Sequence, residues 1–265
     1  MIFRLMIPFM IFLLLSIMAL ALVYVYQEKL IFFPEKLKEN YLYQFDQRYE
    51  EMHLKMDDGV MLNGLLFKTE QTKGLIFYLH GNAGSLRTWG EVGKVYTEMG
   101  FDVFIFDYRG YGKSEGSIDG MQQLTNDVQN VYDFLKKRYD EDKTIILGYS
   151  IGTGPASKLA ATNNPRLLIL QAPYYSLTDL VIHYFPIFPT FLLKYTFENH
   201  QNIEQCKMPV IIFHGDKDEV IYFGSSLKLK KHFKDGDTLI ILKGQQHNGM
   251  TFDETYQFKL KKLID

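Results

Sequence analysis

The pentapeptide Gly148-Tyr149-Ser150-Ile151-Gly152 places a serine midway between two glycines. A short apolar run ends at Leu147 just before it, and a helical pattern opens near Thr153 just after it. A strand that turns this sharply into a helix strains the backbone at its centre. Glycines two positions either side remove Cβ clashes, and the serine Oγ is held out at the top of a sheet. Gly and Ser are common in loops, so the pentapeptide alone says little. In its strand–turn–helix setting it predicts that Ser150 is a nucleophile rather than part of a plain tight turn.

A serine hydroxyl reacts only when a base can take its proton and an acid orients that base. The chain has seven histidines. His247, in Gly244-Gln245-Gln246-His247-Asn248-Gly249 between the last strand pattern and the last helix pattern, is the expected base. His80 and His214 each close an apolar run and are expected to pack or to orient loops. His53, His183, His200 and His232 are expected to be exposed or structural. The segment His214-Gly215-Asp216-Lys217-Asp218-Glu219-Val220 offers two aspartates for the acid. Asp218 is preferred because it stands just before regular structure resumes. Asp216 is expected to cap the loop, and Asp179 is a more remote substitute. The chain order Ser150, Asp218, His247 is the order found with a strand–Ser–helix elbow.

Attack on a carbonyl also creates an oxyanion that needs N–H donors. Ile151, directly after the serine, is expected to supply one. Asn82, with Ala83 as the alternative, supplies the other from His80-Gly81-Asn82-Ala83-Gly84-Ser85. A phosphate-cradling loop is the rival reading of that glycine cluster. The cluster has neither a Gly-Lys-Ser/Thr ending nor Gly-x-Gly-x-x-Gly spacing, which argues against it.

These loops need a frame. A strand is predicted over Gly59–Phe67, after an Asp58-Gly59 turn, and short apolar runs follow at Leu75–Leu79, Val103–Phe106, Thr144–Leu147, Leu167–Leu170, Val210–Phe213 and Leu239–Leu242. Such continuously apolar runs suit parallel strands buried on both faces. Helical patterns lie between them at Trp89–Met99, Met121–Lys137, Thr153–Ala161, Gly224–Phe233 and Phe252–Leu263. The alternation predicts an α/β fold, a mostly parallel central sheet with helices on both faces. No internal repeat divides it, so residues 53–265 read as one domain, preceded by a juxtamembrane segment at 27–52.

The first 26 residues read as an N-terminal transmembrane helix. Residues 5–26 carry no charge, and only Pro8 and Ser16 interrupt the apolar run. At about 1.5 Å per residue the run spans roughly 33 Å, enough to cross a hydrocarbon core. Tyr24 and Tyr26 close it where amphipathic rings favour the interface. A cleaved secretory signal ending at Ala19-Leu20-Ala21 is the competing reading, but apolar residues continue to Val25. Arg4 precedes the run, while Lys29, Lys36 and Lys38 follow it, so the positive-inside rule assigns no orientation.

Composition narrows the function. The 265 residues are 47% hydrophobic and 23% charged, which excludes disordered or collagenous chains. With 29 Lys and Arg against 31 Asp and Glu, the net charge of −2 gives no reason to seek nucleic acid. The single cysteine, Cys206, excludes an intrachain disulfide and a cysteine-rich metal site. No metal cluster or nucleotide fingerprint is visible, so no cofactor is expected.

Taken in order, His80-Gly-Asn-Ala-Gly84, Asp107-Tyr-Arg-Gly-Tyr-Gly112, Gly148-Tyr-Ser-Ile-Gly152, His214-Gly215 with Asp218, and Gly244 with His247 resemble the α/β-hydrolase superfamily. Within it, the chain is similar to the membrane-anchored α/β-hydrolase-domain proteins. The resemblance implies Ser150 as nucleophile, Asp218 as acid, His247 as base, and the 81–84 loop with Ile151 as oxyanion hole. Asp107 and Arg109 match a structural turn and are read as a charge pair pinning it. Gln245-Gln246 is less glycine-rich than is usual before the histidine. Residues 173–207 occupy the usual place of a lid, which here is short and apolar. It is rich in aromatics (among them Tyr174, Tyr175, Tyr184, Phe185, Phe188, Phe191, Tyr195 and Phe197) and stiffened by Pro186 and Pro189. Tyr174, Phe185 and Phe188 are the expected substrate contacts. Such relatives hydrolyse lysophospholipids or acylglycerols, or remove palmitate from protein cysteines. The expected partners are therefore an acyl ester or thioester and membrane lipid. A catalytically inactive binding or scaffold protein of the same fold is the alternative, and it would need neither Ser150 nor its surroundings.

Overall fold

Apolar runs of five or six residues become inner strands because a separate layer of side chains buries each face of the sheet. The computed structural model describes residues 2–265; Met1 lies outside the described residues, as do the side chains of residues 2–5, Arg4 among them. The main strands in chain order are β1 (Tyr49–Lys55), β2 (Met61–Phe67), β3 (Leu75–Leu79), β4 (Asp102–Phe106), β5 (Thr144–Tyr149), β6 (Leu167–Gln171), β7 (Val210–Gly215) and β8 (Thr238–Leu242). Across the eight-stranded sheet they lie in the order β8-β7-β6-β5-β3-β4-β2-β1. From β3 to β8 all pairings are parallel, while β2 pairs antiparallel with both β4 and β1.

Alternation along each strand feeds two cores. Leu75, Phe77 and Leu79 join one with Phe104 and Phe106, while Ile76 and Tyr78 join the other with Val103 and Ile105. Each such side chain is worth roughly 1.5–3 kcal/mol when fully buried. The helix Met121–Leu135 buries Leu124, Val128, Val131, Tyr132 and Leu135, one face at helical spacing.

Several boundaries differ from expectation for local reasons. Gly59, at φ +90°, makes the turn, so β2 starts at Met61. The helix expected at Trp89–Met99 is two short helices, Leu86–Trp89 and Val92–Glu98. The last helix opens at Glu254 because the Asp253 side chain caps it, accepting the Tyr256 N–H at 2.7 Å.

The strand β1 runs across the position expected to divide juxtamembrane segment from domain. Its seven residues pair with β2 from Tyr49↔Phe67 to Lys55↔Met61. Only Met52 and Leu54 of β1 are buried, so an edge strand with charged residues on its open face gave a weak apolar signal. Upstream, Phe32 and Tyr43 are buried in the cores, and Phe33–Pro34 pairs with Ala83–Gly84.

The N-terminal helix α1 (Ile2–Val25) is about 36 Å long at 1.5 Å per residue. Its window Met6–Val25 has a mean hydropathy of 2.7 and none of it is buried, unlike a core helix. The Ser16 hydroxyl donates to the Phe12 carbonyl at 2.9 Å, which satisfies it inside the helix. By length and composition α1 can cross a membrane. A five-residue helix, α2 (Gln27–Ile31), follows it directly.

Candidate active site

The turn from β5 into the helix Thr153–Thr162 carries Ser150 at φ +53°, a left-handed conformation that costs a non-glycine residue about 1–3 kcal/mol. Its glycines are required by close approach. A Cβ on Gly152 would lie 2.2 Å from the Leu79 carbonyl oxygen, and one on Gly148 would lie 2.6 Å from the Gly152 carbonyl oxygen. Thr153 Oγ1 donates to the Ser150 carbonyl at 2.7 Å and steadies the turn.

From Ser150 a hydrogen-bonded chain crosses to two other loops. The Ser150 hydroxyl meets His247 Nε2 at 3.0 Å, and His247 Nδ1 donates to Asp218 Oδ2 at 2.8 Å. The structure thus brings together Ser150, His247 and Asp218, which are 97 and 29 residues apart along the two links. The imidazole loop is held from below, since the Tyr149 hydroxyl donates to the His247 carbonyl.

Asp218 is gripped on both oxygens. Its Oδ1 accepts the N–H groups of Val220 and Ile221, each at 2.9 Å. His214 Nε2 lies 3.3 Å from Oδ2 while donating to the Ile221 carbonyl at 2.9 Å, and the Ser226 hydroxyl on Nδ1 fixes that ring. Burial alone would raise the Asp218 carboxyl. Hydrogen bonds from His214 and His247, the nearby His247 charge and the Ile221 N–H outweigh burial and hold it well below its ordinary 3.8. Its contribution to stability is therefore present above that ordinary value and lost only as pH falls through the lower folded value.

The other aspartates lie elsewhere. Asp216 accepts the Gly244 N–H at 2.7 Å and ties the two loops together. Asp179 sits in the helix Leu177–Tyr184, where it accepts from Tyr222 and Lys228. His80 is fully buried, donates from Nδ1 to the Gly81 carbonyl at 2.7 Å, and is pushed down to about 4 by burial. Asp107 and Arg109 do not pair with each other. Arg109 binds Asp127 at 2.7 and 2.8 Å and also Asp58, whereas Asp107 accepts the Leu86 N–H at 3.0 Å. The turn is pinned by these separate partners.

Beside the serine, Ile151, Asn82 and Ala83 line one cavity. The Gly81 carbonyl is on His80, and the Asn82 carbonyl accepts the Tyr111 hydroxyl at 2.5 Å. In a planar trans peptide the next N–H points the opposite way. The Asn82 and Ala83 N–H groups therefore turn away from His80 and Tyr111, which lie outside the cavity lining. The Asn82 side-chain oxygen is occupied by the Phe33 N–H at 3.2 Å.

The cavity measures about 420 Å³ and is lined largely by apolar groups, including Trp89, Tyr149, Leu177, Leu180, Val181 and Tyr184. Of the three aromatics expected to touch substrate, Tyr174 lines the cavity, whereas Phe185 and Phe188 do not; Phe185 is 64% exposed. The helix Leu177–Tyr184 presents Leu177, Leu180, Val181 and Tyr184 instead, a spacing of three, four and seven that was legible as one helical face. Leu30 and Ile31 of α2 also reach the cavity. Among the described residues no group of three or more His, Cys, Asp or Glu is placed to hold a metal ion.

A family profile described as serine aminopeptidase S33, of the Hydrolase_4 group, matches residues 70–199. Protein bem46 of Schizosaccharomyces pombe is 30% identical over 223 residues, which cover 78% of this chain and 74% of that protein. The chain belongs to the α/β-hydrolase family. Lysophosphatidylserine lipase ABHD12 of Macaca fascicularis is 33% identical over 179 residues. That match covers 58% of this hydrolase and 44% of the lipase, so the chain matches less than half of that relative. Among solved structures, an esterase of Pyrococcus furiosus superposes with a TM-score of 0.69 at 17% identity, covering 88% of this chain and 97% of that one. At that identity the likeness concerns the fold. In this α/β-hydrolase the elbow after β5, the loop after β7 and the loop after β8 are the segments joined through Ser150, Asp218 and His247.

Proposed function

We propose that the chain is a serine hydrolase that cleaves carboxylic esters or thioesters of acyl lipids at a membrane, through an acyl-enzyme on Ser150. The observation that carries this reading is the Ser150–His247–Asp218 hydrogen-bonded chain, of which Ser150 and His247 line an apolar cavity. His247 Nε2 takes the hydroxyl proton as Ser150 Oγ attacks the acyl carbonyl. The N–H of Ile151 and an N–H of the Asn82-Ala83 loop hold the oxyanion. The imidazolium then protonates the departing oxygen or sulfur, and the same base activates the water that releases the acid. The likeness to a lysophosphatidylserine lipase supports a lipid ester as substrate.

An apolar cavity should reward chain length. A series of 4-nitrophenyl esters from acetate to octanoate is expected to show kcat/KM rising with each methylene. The limit is about fourfold per step, from about 0.8 kcal/mol per buried CH₂. A flat or falling series would remove the acyl cavity from the reading.

In the same reading α1 is an uncleaved anchor. The full chain should stay in the membrane pellet through an alkaline carbonate wash. A chain begun at Gln27, which keeps the buried Phe32 and Tyr43 and all of β1, should be soluble and should still hydrolyse a short ester. A start near Met52 would cut β1 and is not expected to fold as well. Release of the full chain by carbonate, or a mature N-terminus at Leu22, would overturn the anchor.

A further inference from the structure

The segment following α1 is bonded to the lid 165 or more residues away. Gln27 is a polar side chain only 3% exposed, and its amide uses both ends. Its Nε2 donates to the Leu192 carbonyl at 3.0 Å, and its Oε1 accepts the Lys194 N–H at 2.8 Å. The Glu28 carboxylate meets Lys194 Nζ at 3.1 and 3.3 Å and accepts the Tyr195 hydroxyl at 3.2 Å. The same Lys194 ammonium stands 4.8 Å over the ring of Tyr24, at the end of α1. Phe32 closes the contact edge-on to Tyr195, with ring centroids 5.2 Å apart.

The next residues do something different. Leu30 and Ile31 line the cavity that holds Ser150, together with a lid contribution of Leu177, Leu180, Val181 and Leu193. Leu30 is 59% exposed, so this wall reaches the cavity rim. Nearby in the chain the lid carries Phe185, Ile187 and Phe191, which are 64%, 98% and 84% exposed. Phe191 adjoins Leu192, whose carbonyl is held by Gln27, two residues beyond the end of α1 at Val25. An exposed apolar lid fastened to the end of an apolar helix has one occupant that is continuous with both: the lipid surface that the helix enters.

We infer that Gln27 and Glu28 clasp the lid to the membrane end of α1, making α2 a wall of the acyl cavity whose mouth takes up amphiphilic acyl esters already resident in the bilayer. This inference rests on the serine hydrolase reading above. Gln27 and Glu28 are positioning residues, since neither lines the cavity. The clasp sets where the lid and its apolar tip lie, so its loss should weaken capture of a bilayer ester and leave the chemistry at Ser150 intact.

The test uses the full chain in phosphatidylcholine vesicles, with Gln27→Ala, Glu28→Lys, Lys194→Glu, and the exchanged pair Glu28→Lys with Lys194→Glu. Two esters are compared: a long-chain fluorogenic acyl ester dissolved in the vesicles, and 4-nitrophenyl acetate. Gln27→Ala is expected to raise KM for the vesicle ester about tenfold and each single charge variant about three- to fivefold, with kcat and the acetate rate within about twofold. Amide hydrogen exchange over residues 190–195 should speed up by about tenfold in the single variants. The exchanged pair should restore both readings towards those of the unaltered chain. Equal losses on both esters, unmoved exchange, or an exchanged pair no better than the single variants would overturn the clasp. If the unaltered chain turns over neither ester, the serine hydrolase reading fails, while hydrogen exchange still decides whether the clasp holds the lid.

Discussion

Ser150→Ala is expected to lower ester turnover by about 10⁴–10⁶-fold while leaving the fold in place. The chemistry at stake is one oxygen. His247 Nε2 is 3.0 Å from Ser150 Oγ, and with that oxygen removed no acyl group can be carried. What survives is the modest acceleration from oxyanion donors and binding. Alanine keeps the Cβ and removes only Oγ, so the close approaches at Gly148 and Gly152 are left as they are. The left-handed φ of +53° remains strained for alanine as for serine. Steady-state turnover of 4-nitrophenyl butyrate, with a circular dichroism melt as the fold control, measures the effect. A variant retaining more than a tenth of the activity would remove Ser150 as nucleophile.

Asp218→Asn is expected to cost about 10³–10⁴-fold, and Asp216→Asn far less. The difference follows from how each carboxylate is held. Asp218 Oδ1 already accepts two backbone N–H groups, from Val220 and Ile221. An asparagine there must keep its carbonyl oxygen on those donors, so its NH₂ faces His247 Nδ1. That ring nitrogen must then accept, which moves the imidazole proton to Nε2, the atom that has to take the Ser150 proton. Asp216 has a single acceptor duty, the Gly244 N–H at 2.7 Å, which an asparagine oxygen can perform as well. Turnover of the two variants on one ester measures the contrast. The reverse ranking would move the acid to Asp216, and two mild effects would leave neither aspartate as the acid.

The inner strands were legible because each is a short, uninterrupted apolar run, the pattern of a strand covered on both faces. The elbow was legible because its glycine spacing answers a local backbone problem that any strand-to-helix turn of this kind must solve. What escaped was set by tertiary contact. Tyr49–Lys55 is an edge strand rich in polar side chains, with His53 and Lys55 exposed and Glu50 and Glu51 half-buried, so only Met52 and Leu54 hinted at a sheet. Aromaticity points to Phe185 and Phe188, yet a helix buries a face and not a residue type. The helix Leu177–Tyr184 turns Leu177, Leu180, Val181 and Tyr184 to the cavity. Arg109 and Asp107 stand two apart in sequence but find different partners, because Asp58 and Asp127 approach Arg109 from other elements. Nothing local in Gln27-Glu28-Lys29-Leu30-Ile31 announces that its polar pair reaches residues 192–195 while its apolar pair lines the cavity.

The activated serine is tested most directly by treating the full chain with a fluorophosphonate and locating the adduct by peptide mass spectrometry. A hydroxyl with His247 and Asp218 behind it should be phosphonylated rapidly. The expected result is one adduct per chain, on the peptide bearing Ser150, absent in Ser150→Ala and slowed in Asp218→Asn. An unlabelled chain, or an adduct on another side chain that persists in Ser150→Ala, would contradict a nucleophile at Ser150.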